Sequence, residues 1–513
     1  MSNLAKSAFW LMVVTMLSKV LGLGRELVLG YFYGTSAYSD VYIVSMNIPL
    51  VVFASIGAAL GTTFIPLYQE ILNERGEERA LNFSNNIMSI VIILSVLLGI
   101  LGYIFAEPLV KLFAMHYTGE KLILAVKFAR IMIGGVVFIG LSSLMTSYLQ
   151  IQGNFTIPGM VGFPNNIIII ISIILSGITQ NIYILAIGSL IGMVSQFLFQ
   201  VPVAIKKGYK FSPTINLKDE YLKKMLWLVM PVLIGVAANQ VNTMVDRSLA
   251  SGLGDGVITA LNNATRLNGF VMGLFIATLG AVIYPTLSKL SSENNKERFA
   301  ESVANSVNCV SLLVIPASVG AIVLATPVVR ILFERGAFND RSTVLTATAL
   351  VFYSVGMIGF GLRDILGKVF FSLKDTKTPM INGVMAVILN IVMNISLVKV
   401  MGYGGLALAT SLSSLICIVL LFRSLKKKIG YYGQDKIRAT FIKTLIASLV
   451  MGVVTYFVYK FLFGILGLGF IQEAISLGVS IAIGGVIYLA LIIVFKVEEV
   501  NMAIDMIKKK LKR

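Results

Sequence analysis

The chain has 513 residues, 57% of them hydrophobic and only 13% charged, with a mean hydropathy of +0.89. Soluble domains run at about 45–50% apolar and about 25% charged residues, so a soluble enzyme, a disordered chain and a secreted disulfide scaffold are excluded together. The net charge of +18, from 42 Lys and Arg against 24 Asp and Glu, would suggest nucleic acid in a soluble protein, but in a membrane protein it marks loops facing anionic lipid.

A hydrocarbon layer about 30 Å thick takes roughly 20 helical residues to cross, and on that length the sequence predicts fourteen spans. The first, 8–33, starts behind Lys6 and runs into Arg25 and Glu26 without a small-residue cleavage site, so we expect an uncleaved span rather than a signal peptide. Spans 37–69 (with Asp40), 81–106, 124–150, 158–177 and 181–205 complete a first six. A second six follows at 222–250 (Asp246, Arg247), 256–287 (Arg266), 299–325, 342–371 (Arg363, Lys368), 379–400 (Asn390, Asn394) and 404–422 (Thr410). The last two are 440–463 and 474–495. The connections leave no room for a soluble domain. The acidic stretch 70–78 is interleaved with Arg75 and has neither a paired-carboxylate metal motif nor a nearby His, so it reads as a solvated loop. Cys309 and Cys417 sit in apolar runs and His116 in a polar connection, with no metal-ligand spacing around them.

The chain repeats itself weakly. Positions 60–66 (LGTTFIP) resemble 279–285 (LGAVIYP) at an offset of 219, while Pro158 matches Pro379 and 185–189 (LAIGS) matches 406–410 (LALAT) at 221. An even number of spans per repeat preserves orientation, so the halves are expected to be parallel, a common transporter design. The expected fold is an all-α integral membrane protein of about 14 transmembrane helices, with two pseudo-symmetric six-helix lobes around a central cavity plus two C-terminal helices. The lobes would be 1–206 and 207–428, followed by 429–513 with the two added spans and a basic tail.

Loop cations set the orientation. With the N-terminus inside, 27 Lys and Arg lie on the inner side and 8 on the outer, which places both termini in the cytoplasm. The tail cations Lys508, Lys509, Lys510, Lys512 and Arg513 read as a lipid-facing cluster. Seven cations remain within spans: Lys19, Arg25, Arg130, Arg247, Arg266, Arg363 and Lys368. A charge at bilayer depth costs upward of about 2.5 kcal/mol unless it is paired or wet. Arg130 and Lys368 lie near span ends and can snorkel. Lys19, Arg25 and Arg266 come from both halves and together suit an anionic cargo such as a phosphate or diphosphate, with Arg supplying a fork of donors. The competing reading pairs Lys19 or Arg25 with Glu26 or Asp40, and Arg266 with Asp255. Asp246, Asn390, Asn394 and Thr410 offer hard oxygen ligands for a sodium ion, or interhelical hydrogen bonds.

The run 18–26 (SKVLGLGRE), then Gly34, Asp40 and the turn Asn47-Ile48-Pro49, resembles the start of the MurJ (MviN) family of the multidrug/oligosaccharidyl-lipid/polysaccharide exporter superfamily. So do 64–68 (FIPLY), 373–379 (LKDTKTP) and 404–410 (GGLALAT). The resemblance covers essentially the whole chain. It implies a non-enzymatic lipid II flippase of peptidoglycan synthesis, multi-pass in the bacterial cytoplasmic membrane and working by alternating access. It also implies membrane lipids and cell-wall synthesis proteins as partners, no nucleic acid, and coupling to sodium or to the membrane potential. By position it implies Lys19, Arg25, Glu26, Asp40 and Arg266 as substrate-binding residues, and Asp246, Asn390, Asn394 and Thr410 as a sodium site. Two departures stand out. The family's dibasic pair after the Asn-Pro turn is replaced by 50–54 (LVVFA), and its second carboxylate in the ion site appears as Asn394. The alternative is a flippase for another lipid-linked glycan, such as a teichoic acid, capsule or O-antigen precursor. A drug/cation antiporter and a polyprenyl-phosphate membrane enzyme are the more remote readings.

Overall fold

The computed structural model describes residues 3–293, 295–467 and 469–500, all of whose regular elements are α-helices. The basic tail cluster from Lys508 onward lies outside the described residues. One compact unit runs up to Thr259 and takes in Arg335–Phe338; the other holds Ala260–Glu334 and the chain from Asn339 onward.

The first unit contains α1 (Asn3–Tyr33), α2 (Ala37–Arg75), α3 (Glu77–Ile104), α4 (Ala106–Phe113), α5 (Gly119–Met132), α6 (Gly135–Ile151), α7 (Thr156–Met160), α8 (Gly162–Thr179), α9 (Tyr183–Lys206) and α10 (Glu220–Ala250). Helix α11 (Val257–Ser292) starts in it and continues in the second unit. There follow α12 (Lys296–Val323), α13 (Ala325–Phe333), α14 (Asp340–Val355), α15 (Met357–Ser372), α16 (Lys377–Met401), α17 (Tyr403–Ile429), α18 (Gln434–Leu466) and α19 (Phe470–Val494). Among the described residues eight helical segments are long and apolar enough to cross a membrane, or ten with the bent pairs α5–α6 (41°) and α14–α15 (45°). The long helices α1, α2, α10 and α11 run through the remaining predicted spans. At 39 residues α2 is about 58 Å long, so its charged end from Glu70 to Arg75 reaches past the hydrocarbon.

The repeat appears in the helix boundaries. Helices α3 and α12 begin at 77 and 296, and α4 and α13 at 106 and 325, both 219 apart. Helices α5 and α14 begin at 119 and 340, 221 apart, and α6 and α15 at 135 and 357, 222 apart. Each copy thus carries a span, a short helix and a broken span in the same order. The break frees backbone carbonyls, which inside a membrane must be satisfied by the protein itself. At the second break Ser411 Oγ donates to the carbonyls of Phe352 (2.6 Å) and Tyr353 (3.2 Å). Asn268 Nδ2 also donates to Tyr353 (3.1 Å), Ser318 Oγ to Ser354 (2.5 Å), and Ser414 Oγ to Gly356 (3.2 Å). Gly356 permits this approach, because a Cβ there would stand 2.5 Å from Ser411 Cα, a backbone atom that cannot turn aside. Gly356→Ala is therefore expected to destabilise the protein by about 1–3 kcal/mol, read as a lowered unfolding temperature in detergent. An unchanged midpoint would show that the α17 backbone gives way.

The two C-terminal spans illustrate membrane packing. Residues Thr440, Thr444, Ala447, Ser448, Met451, Gly452 and Thr455 form a buried stripe on α18, and Ser476, Ser480, Gly484 and Tyr488 one on α19. Both stripes repeat every three or four residues and are mostly small, which lets helix backbones close on each other. The bulky Phe457, Phe461, Ile481 and Val486 face outward. Helix α18 lies along α12 and α19, and Tyr488 donates its hydroxyl to the Leu312 carbonyl at 2.6 Å. A buried carboxylate, Glu473, joins these helices to α13 through Arg330 (3.2 Å) and the Tyr459 hydroxyl (2.9 Å).

The 373–379 loop is also locally determined. Asp375 accepts from the Thr378 N–H (2.9 Å) and hydroxyl (2.8 Å) at the start of α16, and pairs with Lys428 from the last turn of α17. Burial alone raises its pKa. Lys428 and the Thr378 donors outweigh that and hold the carboxyl down at about 2.

Candidate functional site

Arg25 lies deep in α1 and is buried. Its Nη2 pairs with Glu26 Oε1 at 2.6 Å, and its Nη1 donates to Asn166 Oδ1 on α8 at 3.3 Å. Adjacent residues on a helix point about 100° apart, but the arginine is long enough to fold back on its neighbour. The side chains of Arg25 and Glu26 are only 9% and 4% exposed. Asn166 arrives because α8 can come close to α1: a Cβ on Gly162 would meet Ser18 Oγ, and one on Gly177 would meet the Phe32 ring. One arm of the competing internal-pairing reading is thus present, since Arg25 is paired with Glu26.

Asp40, in the first turn of α2, is completely buried. Its carboxylate accepts from the backbone N–H groups of Gly256 (2.7 Å) and Thr259 (2.9 Å) and from the Thr259 hydroxyl (2.7 Å). It therefore caps the start of α11, where unpaired N–H groups and the helix dipole favour a negative charge. Lys121 Nζ stands 3.7 Å from Asp40 and 2.6 Å from Asp255, and lies over the Tyr117 ring.

Lys19 is exposed on α1, six residues before Arg25. Arg266 is exposed on the part of α11 that belongs to the second unit. Asn390, Asn394 and Thr410 come together within the second unit: Asn394 Nδ2 donates to Asn390 Oδ1 (2.8 Å), and Asn390 Nδ2 to Thr410 Oγ1 (3.3 Å) and Ser413 Oγ (3.4 Å). Asp246 lies on α10, in the first unit. Among the described residues no group of three His, Cys, Asp or Glu is placed to hold a metal. Of the other deep cations, Arg130 lies over the Tyr103 ring at 5.2 Å and Lys368 pairs with Asp364 at 2.6 Å.

The acidic stretch 70–78 is tied to the start of α10. Glu70 takes Lys224 (2.6 Å) and Glu74 accepts from the Tyr221 hydroxyl (3.1 Å), while Arg79 pairs with Asp219 (2.7 Å). Sequence reasoning missed Asn166, Lys121 and Thr259 as partners in the site. The pair Asn165-Asn166, standing ahead of five isoleucines, is a polar mark inside a span. Lys121 and Thr259 carry no local mark at all.

Comparison with known proteins supplies a family. The family described as lipid II flippase MurJ matches residues 29–475. A probable lipid II flippase MurJ of Buchnera aphidicola subsp. Baizongia pistaciae is 30% identical over 456 residues, covering 88% of each chain. One from Vibrio cholerae is 30% identical over 513 residues, covering 96% of this chain and 97% of its own. Among solved structures, a lipid II flippase MurJ in an inward closed conformation superposes with a TM-score of 0.81 at 28% identity, over 94% of this chain and 98% of that one. An inward-facing multidrug resistance MATE transporter of the MOP superfamily, 16% identical, shares the fold with a TM-score of 0.71 over 83% of this chain and 99% of its own.

Proposed function

The chain belongs to the MurJ lipid II flippase family, a family of transporters rather than enzymes, and from that premise we propose that it moves lipid II from the inner to the outer leaflet of the bacterial cytoplasmic membrane by alternating access. Both termini lie in the cytoplasm. Lys19, Arg25 and Arg266 hold the diphosphate, while Glu26 keeps the Arg25 guanidinium in place and shares it with the headgroup. Asp40 anchors the start of α11, the helix that carries Arg266. The polyprenyl tail stays in lipid.

The observation that carries this reading is Arg25, a buried arginine inside a predicted span, paired with the Glu26 carboxylate and bonded to the Asn166 amide oxygen. Desolvating such a pair is costly, and a phosphate offers the guanidinium a bidentate partner. Sodium, or the membrane potential acting on the cations, would drive the cycle. Replacing sodium by choline in a vesicle assay separates the two.

The test is complementation. Arg25→Ala or Arg266→Ala, expressed in a strain that depends on this protein, should abolish growth and lower the lipid II reached by an externally added cleaving enzyme. A lost charge-assisted contact is worth about 1.5–3 kcal/mol, a reduction of roughly 10- to 150-fold. Normal lipid II exposure in well-expressed variants would sink the assignment. A flippase for another lipid-linked glycan is favoured by one feature, the absence of a cation at 50–54 in α2. Growth rescued without lipid II export would select it.

A further inference from the structure

Between α3, α6 and α9 the first unit holds a cavity of about 380 Å³. Its walls include Met88, Leu141, Met145, Phe197, Ile205 and Phe211, and nearly all of its surface is apolar. Ile205 and Phe211 are 60% and 49% exposed, so the slot opens outward, where the neighbouring turns of α3 and α9 present Ile93, Leu97, Ile191 and Leu198 to lipid.

The slot exists because the connection after α9 is sewn onto α3. Asn85 Nδ2 donates to the Lys210 carbonyl (2.9 Å), and the Thr214 N–H donates to Ser89 Oγ (3.2 Å). Asn86 exchanges two hydrogen bonds with the Asn216 backbone (2.8 and 3.0 Å). Tyr209 meets Tyr148 edge-on with ring centres 4.9 Å apart. These bonds fix Phe211 at the mouth.

The rim has a different character. Lys206, Lys207 and Lys210 are exposed on either side of the wall residues Ile205, Tyr209 and Phe211, and none of the three is in an ion pair among the described residues. Three acids of the same region are engaged elsewhere: Glu70 with Lys224, Glu74 with Tyr221 and Asp219 with Arg79. An open apolar slot beside three exposed ammonium groups, at the end of a spanning helix, has the chemistry of an amphiphile's negative image. An apolar cavity is not water's place. At roughly 30 Å³ per water-sized group, it has room for about a dozen such groups, the bulk of one fatty chain.

We propose that this slot binds one acyl chain of an anionic phospholipid, with its phosphate held by Lys206, Lys207 and Lys210. The occupant is a resident membrane lipid rather than the transported one. The site does not depend on Arg25 or Arg266, so its failure and the failure of the flippase reading are separate results.

The experiment counts lipids retained by the full-length protein in native mass spectrometry, with phosphatidylglycerol or phosphatidylcholine doped into the micelles. The natural protein should retain one phosphatidylglycerol in preference to phosphatidylcholine. Lys206→Gln/Lys207→Gln/Lys210→Gln should weaken that retention on the order of tenfold or more, because lysines at a membrane surface add their attractions. Val201→Trp, which fills the slot from a partly exposed wall position, should weaken it with all three charges intact. If that variant does not fold, the lysine variant still decides. Equal retention of both lipids by the natural protein, or unchanged phosphatidylglycerol retention in the lysine variant, overturns the proposal. So does displacement of phosphatidylglycerol by undecaprenyl phosphate in the natural protein but not in Val201→Trp, which would make the slot a polyprenyl site.

Discussion

Glu26→Ala is expected to destabilise the protein more than removal of both members of its ion pair. The single change leaves the Arg25 guanidinium buried, with the Asn166 side-chain oxygen at 3.3 Å as its remaining hydrogen bond. Removing one partner of a buried pair costs about 3–5 kcal/mol, because the surviving charge keeps its desolvation penalty and loses its compensation. The double change Arg25→Leu/Glu26→Leu removes the penalty with the pair and should recover most of that loss. Transport should not follow stability: the double variant folds, yet it has lost the fork that holds the diphosphate. Unfolding temperature in detergent and lipid II exposure in cells, measured on the same three proteins, separate the two effects. Glu26→Ala as stable as the natural protein would mean that solvent or lipid headgroups already compensate Arg25. A double variant exporting lipid II at the natural rate would remove Arg25 from the binding set.

Asp40→Ala should have the second large effect. Three hydrogen bonds from Gly256 and Thr259 end on its carboxylate, so the change strips the cap from α11 and leaves buried donors without an acceptor. Loss of a hydrogen-bonded buried charge is expected to cost about 3 kcal/mol or more. The damage should be local first: amide exchange at Gly256 and Thr259 speeds up before the rest of the unit responds. Asp255→Ala is the control. Asp255 also pairs with Lys121, but its side chain is 59% exposed, and exposed pairs contribute at most about 1 kcal/mol. If Asp40→Ala leaves exchange at these amides unchanged, the cap is dispensable.

What the sequence could reveal follows from the range over which each feature is encoded. A span is written in twenty consecutive residues, so the long apolar helices were legible, and among the described residues eight of them, or ten with the bent pairs, meet the length and hydropathy of a crossing. The breaks in 124–150 and 342–371 were not, because a spanning helix tolerates glycine and neither Gly134-Gly135 nor Gly356 announces a bend of more than 40°. The short helices α4 and α13 fall in connections between predicted spans, because eight or nine residues are too few to cross a membrane. Arg25 stood out as a charge where charge is expensive, and Asn390 with Asn394 as an i,i+4 pair. The Asn166 contact depends on how α1 crosses α8, and the Asp40 cap joins residues more than 200 positions apart. Such pairings are decided by packing, which no local pattern records.

The two broken spans are not mechanically alike. The Gly134-Gly135 bend packs against Leu190 and Met193 of α9. The Gly356 bend packs against Ser411 and Ser414 of α17, each 221 positions further on. The two joints share a shape but not a lining: one is a greasy bearing and the other is pinned. Thioether and leucine contacts have no preferred direction, whereas hydroxyls on carbonyls do. The two joints are therefore mechanically unequal, and exchanging these four side chains between them tests whether the stiffness of each joint follows its lining.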